Sequence, residues 1–284
     1  MRQRTILDFT VSAIGLGGMP MSIEGRPDED RSIRTIHAAL DAGVRLIDTA
    51  NSYHLLAGEV GHNERLIAKA LASWSGNTDE VLVATKGGHL RPGDGTWTQN
   101  GDPTYLKQAA KQSAKDLGVD SIGLYYYHRP DPKVPYADSI GALVDLLAEG
   151  VIQRAGISNA SIDQIHLAND LLGGRLAAVQ NEYSPKHRST EDTLAECEKL
   201  GIACLPWSPL GGITQAKQLG DSFADFHDVA DAHGVSPQQV ALAWELAKGE
   251  RVIPIPGASR PESILDSVKA VDLVLTADEL AKLG

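Results

Sequence analysis

The sequence predicts an α/β protein folded as a TIM (β/α)8 barrel, with residues 1–284 forming a single domain. Two observations support this prediction: short apolar runs alternate with segments of helical spacing, and the alternation repeats eight times within 284 residues. Consecutive parallel strands need crossover segments and short links, so such a series has few topologies available. Eight such units in a chain of this length match the count and the size of the barrel.

Each strand candidate is a short run of mainly apolar or β-branched residues. In chain order these runs are residues 11–16, 44–49, 80–86, 121–128, 151–158, 175–180, 201–207 and 251–256. Two further runs, residues 4–6 and 9–11, predict a small β-hairpin that closes the bottom of the barrel.

The segments between the runs carry helix signals. In one of them, Ile140, Leu143, Val144 and Leu147 lie at positions i, i+3, i+4 and i+7, and Gly150 follows where a helix C′ glycine is expected. In another, Ser236 followed by Pro237 predicts a helix start, because serine is a preferred N-cap and proline fits the first turn.

A doubly wound open sheet is the alternative to the barrel. Such a sheet usually shows a GxGxxG fingerprint after its first strand. The nearest string, GLGGMP, has Pro20 where the third glycine belongs, so the fingerprint fails. The sequence also contains no GxxxxGK[ST], HExxH or GxSxG string. The barrel is therefore favoured.

Charge and composition exclude several classes of partner. The net charge is −11 and no cluster of five Lys or Arg occurs, so neither nucleic acid nor an anionic membrane is expected to bind. The first ten residues are polar, and no apolar run is long enough to span a membrane. Cys197 and Cys204 lack metal-ligand spacing, so no metal is expected. We expect a cytoplasmic monomer.

Polar residues stand at the ends of three consecutive strand candidates. Asp48, Lys86 and His128 end the second, third and fourth runs, and Tyr53 lies five residues beyond Asp48. Neighbouring strands are roughly 4.8 Å apart, so these ends converge on one rim. A nearby ammonium lowers the pKa of a phenol, and a carboxylate keeps that ammonium charged. The set therefore predicts an acid for a developing alkoxide, as carbonyl reduction by hydride requires.

Seven stretches resemble, in order and spacing, the motif series of the aldo-keto reductases. They are GVRLIDTANSYH, VATKGG, GLYYYHRPD, GISN, VQNEYSP, PWSPLGG and IPGAS, and the resemblance runs from residue 4 to the C-terminus. It implies that Asp48, Tyr53, Lys86 and His128 form the catalytic tetrad of this family. In that tetrad Tyr53 is the general acid in reduction, Lys86 and Asp48 tune it, and His128 orients the substrate.

The same resemblance implies a nicotinamide cofactor, with NADPH/NADP+ favoured and NADH as the alternative. Ser158, Asn159 and Gln180 match the residues that hydrogen-bond the carboxamide, and Trp207 matches the aromatic residue that stacks on the nicotinamide. The other predicted cofactor-binding residues are Gly18, Met19, Ser208, Pro209, Leu210, Gly211, Gly257, Ala258, Ser259, Arg260, Asp266 and Ser267.

Within that set, residues 208–211 match the stretch near the pyrophosphate, and Asp266 and Ser267 match positions near the adenine. Residues 259–262 also have the pattern of a capping box, and a helix N-terminus with an adjacent arginine binds anions. The guanidinium of Arg260 suits a 2′-phosphate, which favours NADPH. Many family members have a lysine and an arginine where this chain has Gly257 and Ser263.

The favoured function is the reversible, NADPH-dependent reduction of an aldehyde or ketone to the alcohol, with hydride from nicotinamide C4 and a proton from Tyr53. The alternative is a regulatory or interaction protein that binds the cofactor and catalyses slowly. A metal-dependent barrel hydrolase is a third candidate, but the sequence lacks paired histidine ligands at a recognisable spacing.

Two long connections, residues 87–103 and 208–220, follow strand ends and are expected to shape the substrate pocket. Trp97, with Tyr53 and His128, is the predicted lining. Small aromatic aldehydes, sugars, α-dicarbonyls, pyridoxal and polyketide ketones all stay open as substrates. Arg91 would attract an acidic substrate, but its default interpretation is a surface arginine. His89 is interpreted as structural or solvent-exposed.

Overall fold

The computed structural model describes residues 1–212, 216, 219 and 223–284, so part of the predicted loop 208–220 lies outside the described residues. In chain order the strands are β1 (Gln3–Ile6), β2 (Phe9–Ser12), β3 (Leu16–Gly17), β4 (Leu46–Asp48), β5 (Leu82–Gly87), β6 (His89–Leu90), β7 (Thr98–Gln99), β8 (Leu124–Tyr127), β9 (Ala155–Ser158), β10 (Leu176–Gln180) and β11 (Ala203–Cys204). A parallel sheet with the order β3-β4-β5-β8-β9-β10-β11 contains seven of them, in the order in which they follow along the chain.

Helices connect the strands of this sheet. They are α1 (Glu29–Asp41), α2 (His62–Ser73), α3 (Pro103–Leu117), α4 (Tyr136–Ala148), α5 (Ile162–Leu171), α6 (Glu191–Leu200), α7 (Ala224–His233), α8 (Pro237–Leu246), α9 (Pro261–Val268) and α10 (Ala277–Leu283), with short 3-10 turns at Met19–Met21, Ala57–Glu59, Thr78–Glu80 and Lys269–Val271. In the part of the chain that the structure describes, no helix has the length and apolar character needed to cross a bilayer.

The sheet closes into a barrel through residues 251–257, the eighth predicted strand. This segment forms parallel bridges on both sides, from Val252 to Cys204 and from Gly257 to Gly17. Pro254 and Pro256 have no backbone N–H, but their carbonyl oxygens accept hydrogen bonds from Gly15 and Gly17, both at 2.9 Å. The prolines explain why the segment is bridged and not a regular strand. The predicted barrel is thus confirmed.

A glycine is required where the barrel closes. A Cβ atom at Gly17 would lie 2.9 Å from the carbonyl oxygen of Ile255, closer than side-chain carbons normally approach. The string GLGGMP does not match the dinucleotide fingerprint. Its Gly17 instead allows the first and last segments of the barrel to approach each other closely.

The first predicted strand, residues 11–16, is wrong in its boundaries. Val11 belongs to β2, which pairs antiparallel with β1, and the barrel strand β3 begins only at Leu16. The predicted hairpin is present: Ile6 and Val11 are buried in the same interior cluster as Leu46. Val11, which the sequence pattern assigned to the barrel strand, therefore belongs to the hairpin.

The predicted loop 87–103 contains a second small hairpin. In it His89 of β6 pairs with Gln99 of β7, and Leu90 pairs with Thr98. Strands of two residues are too short to produce a hydrophobic alternation, so the sequence did not reveal them.

Helix ends follow the predicted signals with one exception. Gly150 has a φ of 71°, and Ser236 caps α8 by accepting a hydrogen bond from the Gln239 N–H. The predicted capping box at residues 259–262 is wrong, because α9 begins at Pro261 with Arg260 as its N-cap and no side-chain capping bond. Proline at the first helical position fixes the start one residue later than the serine-based prediction.

Residues along each barrel strand alternate between the interior and the surrounding helices. Leu46, Ala84, Tyr126 and Ala178 lie in the interior cluster, whereas Tyr125 belongs to the cluster between sheet and helices. Because side chains alternate along a strand, the residue two positions further on lies on the same interior face. These residues are Asp48, Lys86 and Gln180, at the carboxyl ends of β4, β5 and β10, and His128, just after β8. These residues build the site described below.

One buried carboxyl group of α2 contacts the outer face of β5. Glu64 is fully buried, and its Oε1 accepts a hydrogen bond of 2.5 Å from the Thr85 hydroxyl. Burial raises the pKa of Glu64 to about 7, opposed by the hydrogen bond from Thr85. Folding therefore favours the protonated form of this group.

We expect Glu64→Gln to remove a pH-dependent part of the stability. The folded pKa is about 7 and the reference value is 4.5, so the native protein binds the proton more tightly than the unfolded chain does. The wild type should then lose stability as the pH rises from about 4.5 to 7, by up to about 3 kcal/mol. Urea unfolding at about pH 5 and pH 8 measures this, with the exposed Glu262→Gln as control. Equal pH dependence in wild type and Glu64→Gln would contradict the expectation.

Candidate active site

Lys86 is the centre of a buried polar cluster at the carboxyl ends of β4 and β5. Its side chain is fully buried, and its Nζ donates hydrogen bonds to Asp48 Oδ1 at 2.5 Å, to the Thr49 carbonyl at 2.7 Å and to the Tyr53 hydroxyl at 3.1 Å. These three oxygens match the three N–H donors of the ammonium. A lysine in the barrel interior is thus fully paired, which offsets the cost of removing its charge from water.

Asp48 is held on both of its carboxylate oxygens. Oδ2 accepts a hydrogen bond of 2.8 Å from Gln180 Nε2, which comes from β10 on another part of the barrel. Burial lowers the pKa of Lys86, but the charges of Asp48 and Tyr53 and their hydrogen bonds more than compensate, so its pKa lies above the ordinary lysine value. Lys86 therefore stays charged at neutral pH.

Tyr53 keeps its proton at neutral pH. Burial raises the pKa of its hydroxyl, and the opposing effect of Lys86 does not cancel this increase. The expectation that the ammonium lowers the pKa of Tyr53 is wrong, because burial of the phenol, which is only 7% exposed, has the larger effect. In this site the ammonium limits the increase instead of reversing it.

His128 lies beside Tyr53 and is neutral. Its ring centroid is 5.9 Å from that of Tyr53, with the planes at 80°. Burial lowers its pKa well below the usual value, and the positive charge of Lys86 adds to this effect. A neutral imidazole carries one N–H, so His128 has a single ring donor to offer.

A pocket of about 560 Å³ opens above this cluster. Of the predicted site residues, those that line it are Met19, Asp48, Tyr53, Trp97, His128, Ser158, Asn159, Gln180, Trp207, Ser208, Pro209, Leu210 and Gly257. Lys86 lies beneath the pocket floor. The predicted residues outside the lining are Gly18, Gly211, Ala258, Ser259, Arg260, Asp266 and Ser267.

One wall of the pocket presents amides and a hydroxyl, and Trp207 forms another part of the lining. Ser158 Oγ donates to the Gln180 carbonyl at 2.7 Å, and Asn159, with a φ of 57°, donates from Nδ2 to the His128 carbonyl at 3.0 Å. The Nε1 of Trp207 is buried without a hydrogen-bond partner among the described residues. Amide groups near an indole are a donor set that fits a flat ring bearing a carboxamide, such as nicotinamide.

The predicted adenine contacts have other partners in this structure. Both oxygens of Asp266 accept hydrogen bonds of 2.6 Å, one from Ser236, the N-cap of α8, and one from Gln239 in its first turn. Ser267 donates to the backbone of α9. Arg260 is exposed, and its Nε donates to the Ser263 hydroxyl at 2.8 Å. An adenine or 2′-phosphate contact by these residues stays a prediction.

His89 and Arg129 are among the pocket residues that the sequence did not predict. His89, interpreted as structural or exposed, lines the pocket and stacks on Trp97 with ring centroids 4.7 Å apart, and its pKa is lowered by burial to about 4. Arg129 lines the pocket directly after His128. Position in the chain could have indicated both residues, because His89 follows the strand end that carries Lys86, and Arg129 directly follows His128.

The default interpretation of Arg91 as a surface residue is wrong. Its side chain is buried and forms an ion pair with Glu24. It also donates to the His54 carbonyl at 2.6 Å, and its guanidinium lies 4.9 Å from the Trp97 ring centre. Arg91 therefore holds the loop that carries Trp97, and it is not free to bind an acidic substrate.

Comparison with known proteins gives relatives along nearly the whole chain. The family model described as "Aldo/keto reductase family" matches residues 13–284. A Schizosaccharomyces pombe protein described as an uncharacterized oxidoreductase is 33% identical over 282 residues, covering 97% of this chain and 87% of the relative. A Glycine max protein described as probable aldo-keto reductase 1 is 31% identical over 303 residues, covering 97% and 85%.

Solved structures show the same architecture. The thermostable aldo-keto reductase Tm1743, in complex with the inhibitor epalrestat, gives a TM-score of 0.83 at 25% identity and covers 100% of this chain and 98% of that chain. The glycerol dehydrogenase of Gluconobacter oxydans gives 0.83 at 26% identity, covering 99% and 93%. The aldo/keto reductase of Klebsiella pneumoniae, in complex with NADP and acetate, gives 0.80 at 27% identity, covering 99% and 94%.

We expect Lys86→Met to destabilise the fold strongly, because it leaves the Asp48 carboxylate buried without its counter-charge. Breaking a buried ion pair from one side typically costs about 3–5 kcal/mol. The double variant Asp48→Asn with Lys86→Met should recover much of the loss, since no buried charge then remains unpaired. Urea unfolding of wild type, both single variants and the double variant measures the coupling. Additive effects of the two substitutions would contradict this account.

Proposed function

Because the chain belongs to the aldo/keto reductase family and is an NAD(P)H-dependent oxidoreductase, we propose that it reduces an aldehyde or ketone to the alcohol, with NADPH as the favoured cofactor. The observation that supports this proposal most strongly is the contact of 3.1 Å between Lys86 Nζ and the Tyr53 hydroxyl at the floor of an open pocket. It joins a proton donor to a fixed positive charge at the place that a carbonyl oxygen can reach.

The residues for holding the cofactor are on two parts of the pocket wall. We propose that Ser158, Asn159 and Gln180 hydrogen-bond the carboxamide of the nicotinamide and that Trp207 stacks on its ring. When bound, the nicotinamide supplies the hydride that reduces the carbonyl carbon. The protein's own contribution is orientation, exclusion of water and control of one proton.

Tyr53 is the proposed general acid. As negative charge develops on the carbonyl oxygen, the Tyr53 hydroxyl transfers its proton to that oxygen. The phenolate that results lies against the Lys86 ammonium, which stabilises it. Asp48 keeps that ammonium charged and in place through its contact of 2.5 Å. In the reverse direction the Tyr53 phenolate accepts the proton of the alcohol.

His128 is proposed to orient the substrate. Its ring stands nearly perpendicular to the ring of Tyr53, and the two side chains line the same pocket. A neutral imidazole can donate one hydrogen bond to the carbonyl oxygen without competing for the Tyr53 proton. Burial of the ring, which keeps its pKa low, therefore has a functional consequence.

We expect Tyr53→Phe to retain NADPH binding and to lose turnover by about 100-fold or more, because it removes the proton donor and leaves the ring in place. The decrease of NADPH absorbance with a panel of aldehydes and ketones measures turnover, and quenching of protein fluorescence measures binding. Tyr136→Phe is a matched control, since Tyr136 is half-buried and does not line the pocket. Unchanged turnover in Tyr53→Phe would refute the proposed acid.

We expect Arg260→Ala to weaken NADPH binding by about tenfold or more, because a charge-assisted contact to the 2′-phosphate is lost. Binding of NADH, which lacks this phosphate, should change little. The ratio of the two dissociation constants, measured by fluorescence titration at one salt concentration, tests the preference. If the substitution changes both constants equally, Arg260 does not read the 2′-phosphate.

A further inference from the structure

Among the residues that the structure describes, the pocket lining contains one cation for which no carboxylate partner is found, Arg129. The side chain of Arg129 lines the pocket directly after His128. A guanidinium has five N–H donors, and within the described part of the chain Arg129 uses one of them: Nη2 donates to Asn159 Oδ1 at 3.3 Å, whereas Nε is buried without a partner there. Arg129 therefore has unused donors and an unpaired charge at the pocket.

The other charged groups of the pocket are already paired. Asp48 is paired with Lys86, and Glu24 is paired with Arg91. His89 has a pKa of about 4 and is neutral at physiological pH. Of the lining residues that the structure describes, Arg129 is thus the one that keeps an unpaired positive charge, in a protein whose net charge is −11. An isolated cation at the wall of a concave site attracts an anion.

The position of Arg129 relates this charge to the reacting groups. Its positive charge lowers the pKa of both His89 and His128, so the guanidinium lies within electrostatic reach of both rings. A group bound to Arg129 is therefore next to the residue that is proposed to orient the carbonyl. The stacked pair of His89 and Trp97 lines the same pocket and offers flat apolar surface to a planar substrate.

We propose that Arg129 binds a carboxylate of the substrate, so that the preferred substrates are aldehydes or ketones that also bear an acid group. This inference rests on the proposed reductase function. The planar guanidinium pairs with a carboxylate through two parallel N–H···O bonds, which fixes both the position and the orientation of the ligand. Arg91, the cation that the sequence suggested for this purpose, is already occupied by Glu24 and His54.

A purely structural role of Arg129 predicts a different behaviour. If the guanidinium serves only to hold Asn159, its removal disturbs cofactor binding and affects acidic and neutral substrates equally. If it binds the substrate carboxylate, its removal changes the preference between the two substrates and leaves cofactor affinity close to that of the wild type.

The test compares 3-carboxybenzaldehyde with its methyl ester, which has nearly the same shape and no charge. We expect wild type to prefer the acid in kcat/KM, and Arg129→Met to lower the acid-to-ester ratio by about 30-fold, in line with the loss of a charge-assisted hydrogen bond. Arg129→Lys should lie between the two, because it keeps the charge and loses the fork. Arg34→Met, an exposed arginine on α1, is the matched control and should keep the wild-type ratio.

A second measurement does not need turnover. Isothermal titration of benzoate into the NADPH-loaded protein should show binding to wild type and Arg34→Met and a loss of at least about tenfold in Arg129→Met. Benzoate binding without reduction of any aldehyde would contradict the reductase proposal and support the carboxylate site. An unchanged acid-to-ester ratio in Arg129→Met, or equal benzoate affinity in Arg129→Met and wild type, would overturn the inference.

Discussion

The buried ion pair between Lys86 and Asp48 is the interaction on which the rest of the site depends. An ammonium in the interior of a barrel is costly unless every donor is paired, and here three oxygens at 2.5, 2.7 and 3.1 Å surround it. One of these oxygens is the Tyr53 hydroxyl, so the same requirement that neutralises Lys86 also fixes the proposed acid. The contacts that compensate the burial of Lys86 are thus the same contacts that the proposed proton transfer from Tyr53 requires.

The barrel supplies this arrangement through the period of two of its strands. Apolar interior residues such as Leu46 and Ala84 are followed two positions later by Asp48 and Lys86, so polar groups appear on the interior face only at the carboxyl ends. Gln180, from a strand that is not adjacent to β4, holds the second oxygen of Asp48 across the barrel. Closure of the sheet, which depends on the close approach at Gly17, is therefore also a condition for the geometry of the site.

The sequence could predict those features that rest on periodicity and on residue type at strand ends. Alternating apolar runs led to the barrel and to the hairpin, and the polar residues at three consecutive strand ends led to the cluster around Lys86. The sequence could not show which loop side chains point into the pocket, because this depends on the β6–β7 hairpin and on the pairing of Arg91 with Glu24. His89 was missed for this reason. The pKa of Tyr53 was misjudged because burial is a tertiary property that spacing does not encode.

In the mechanism that we propose, hydride passes to a carbonyl carbon in this pocket while Tyr53 supplies the proton. A single-turnover reduction of an aldehyde with NADPH deuterated at the transferable C4 position, with the product analysed by mass spectrometry, tests this mechanism. The expected product is an alcohol that carries one deuterium on the former carbonyl carbon. An alcohol without deuterium on that carbon, or no alcohol from any carbonyl although NADPH binds, would contradict this mechanism.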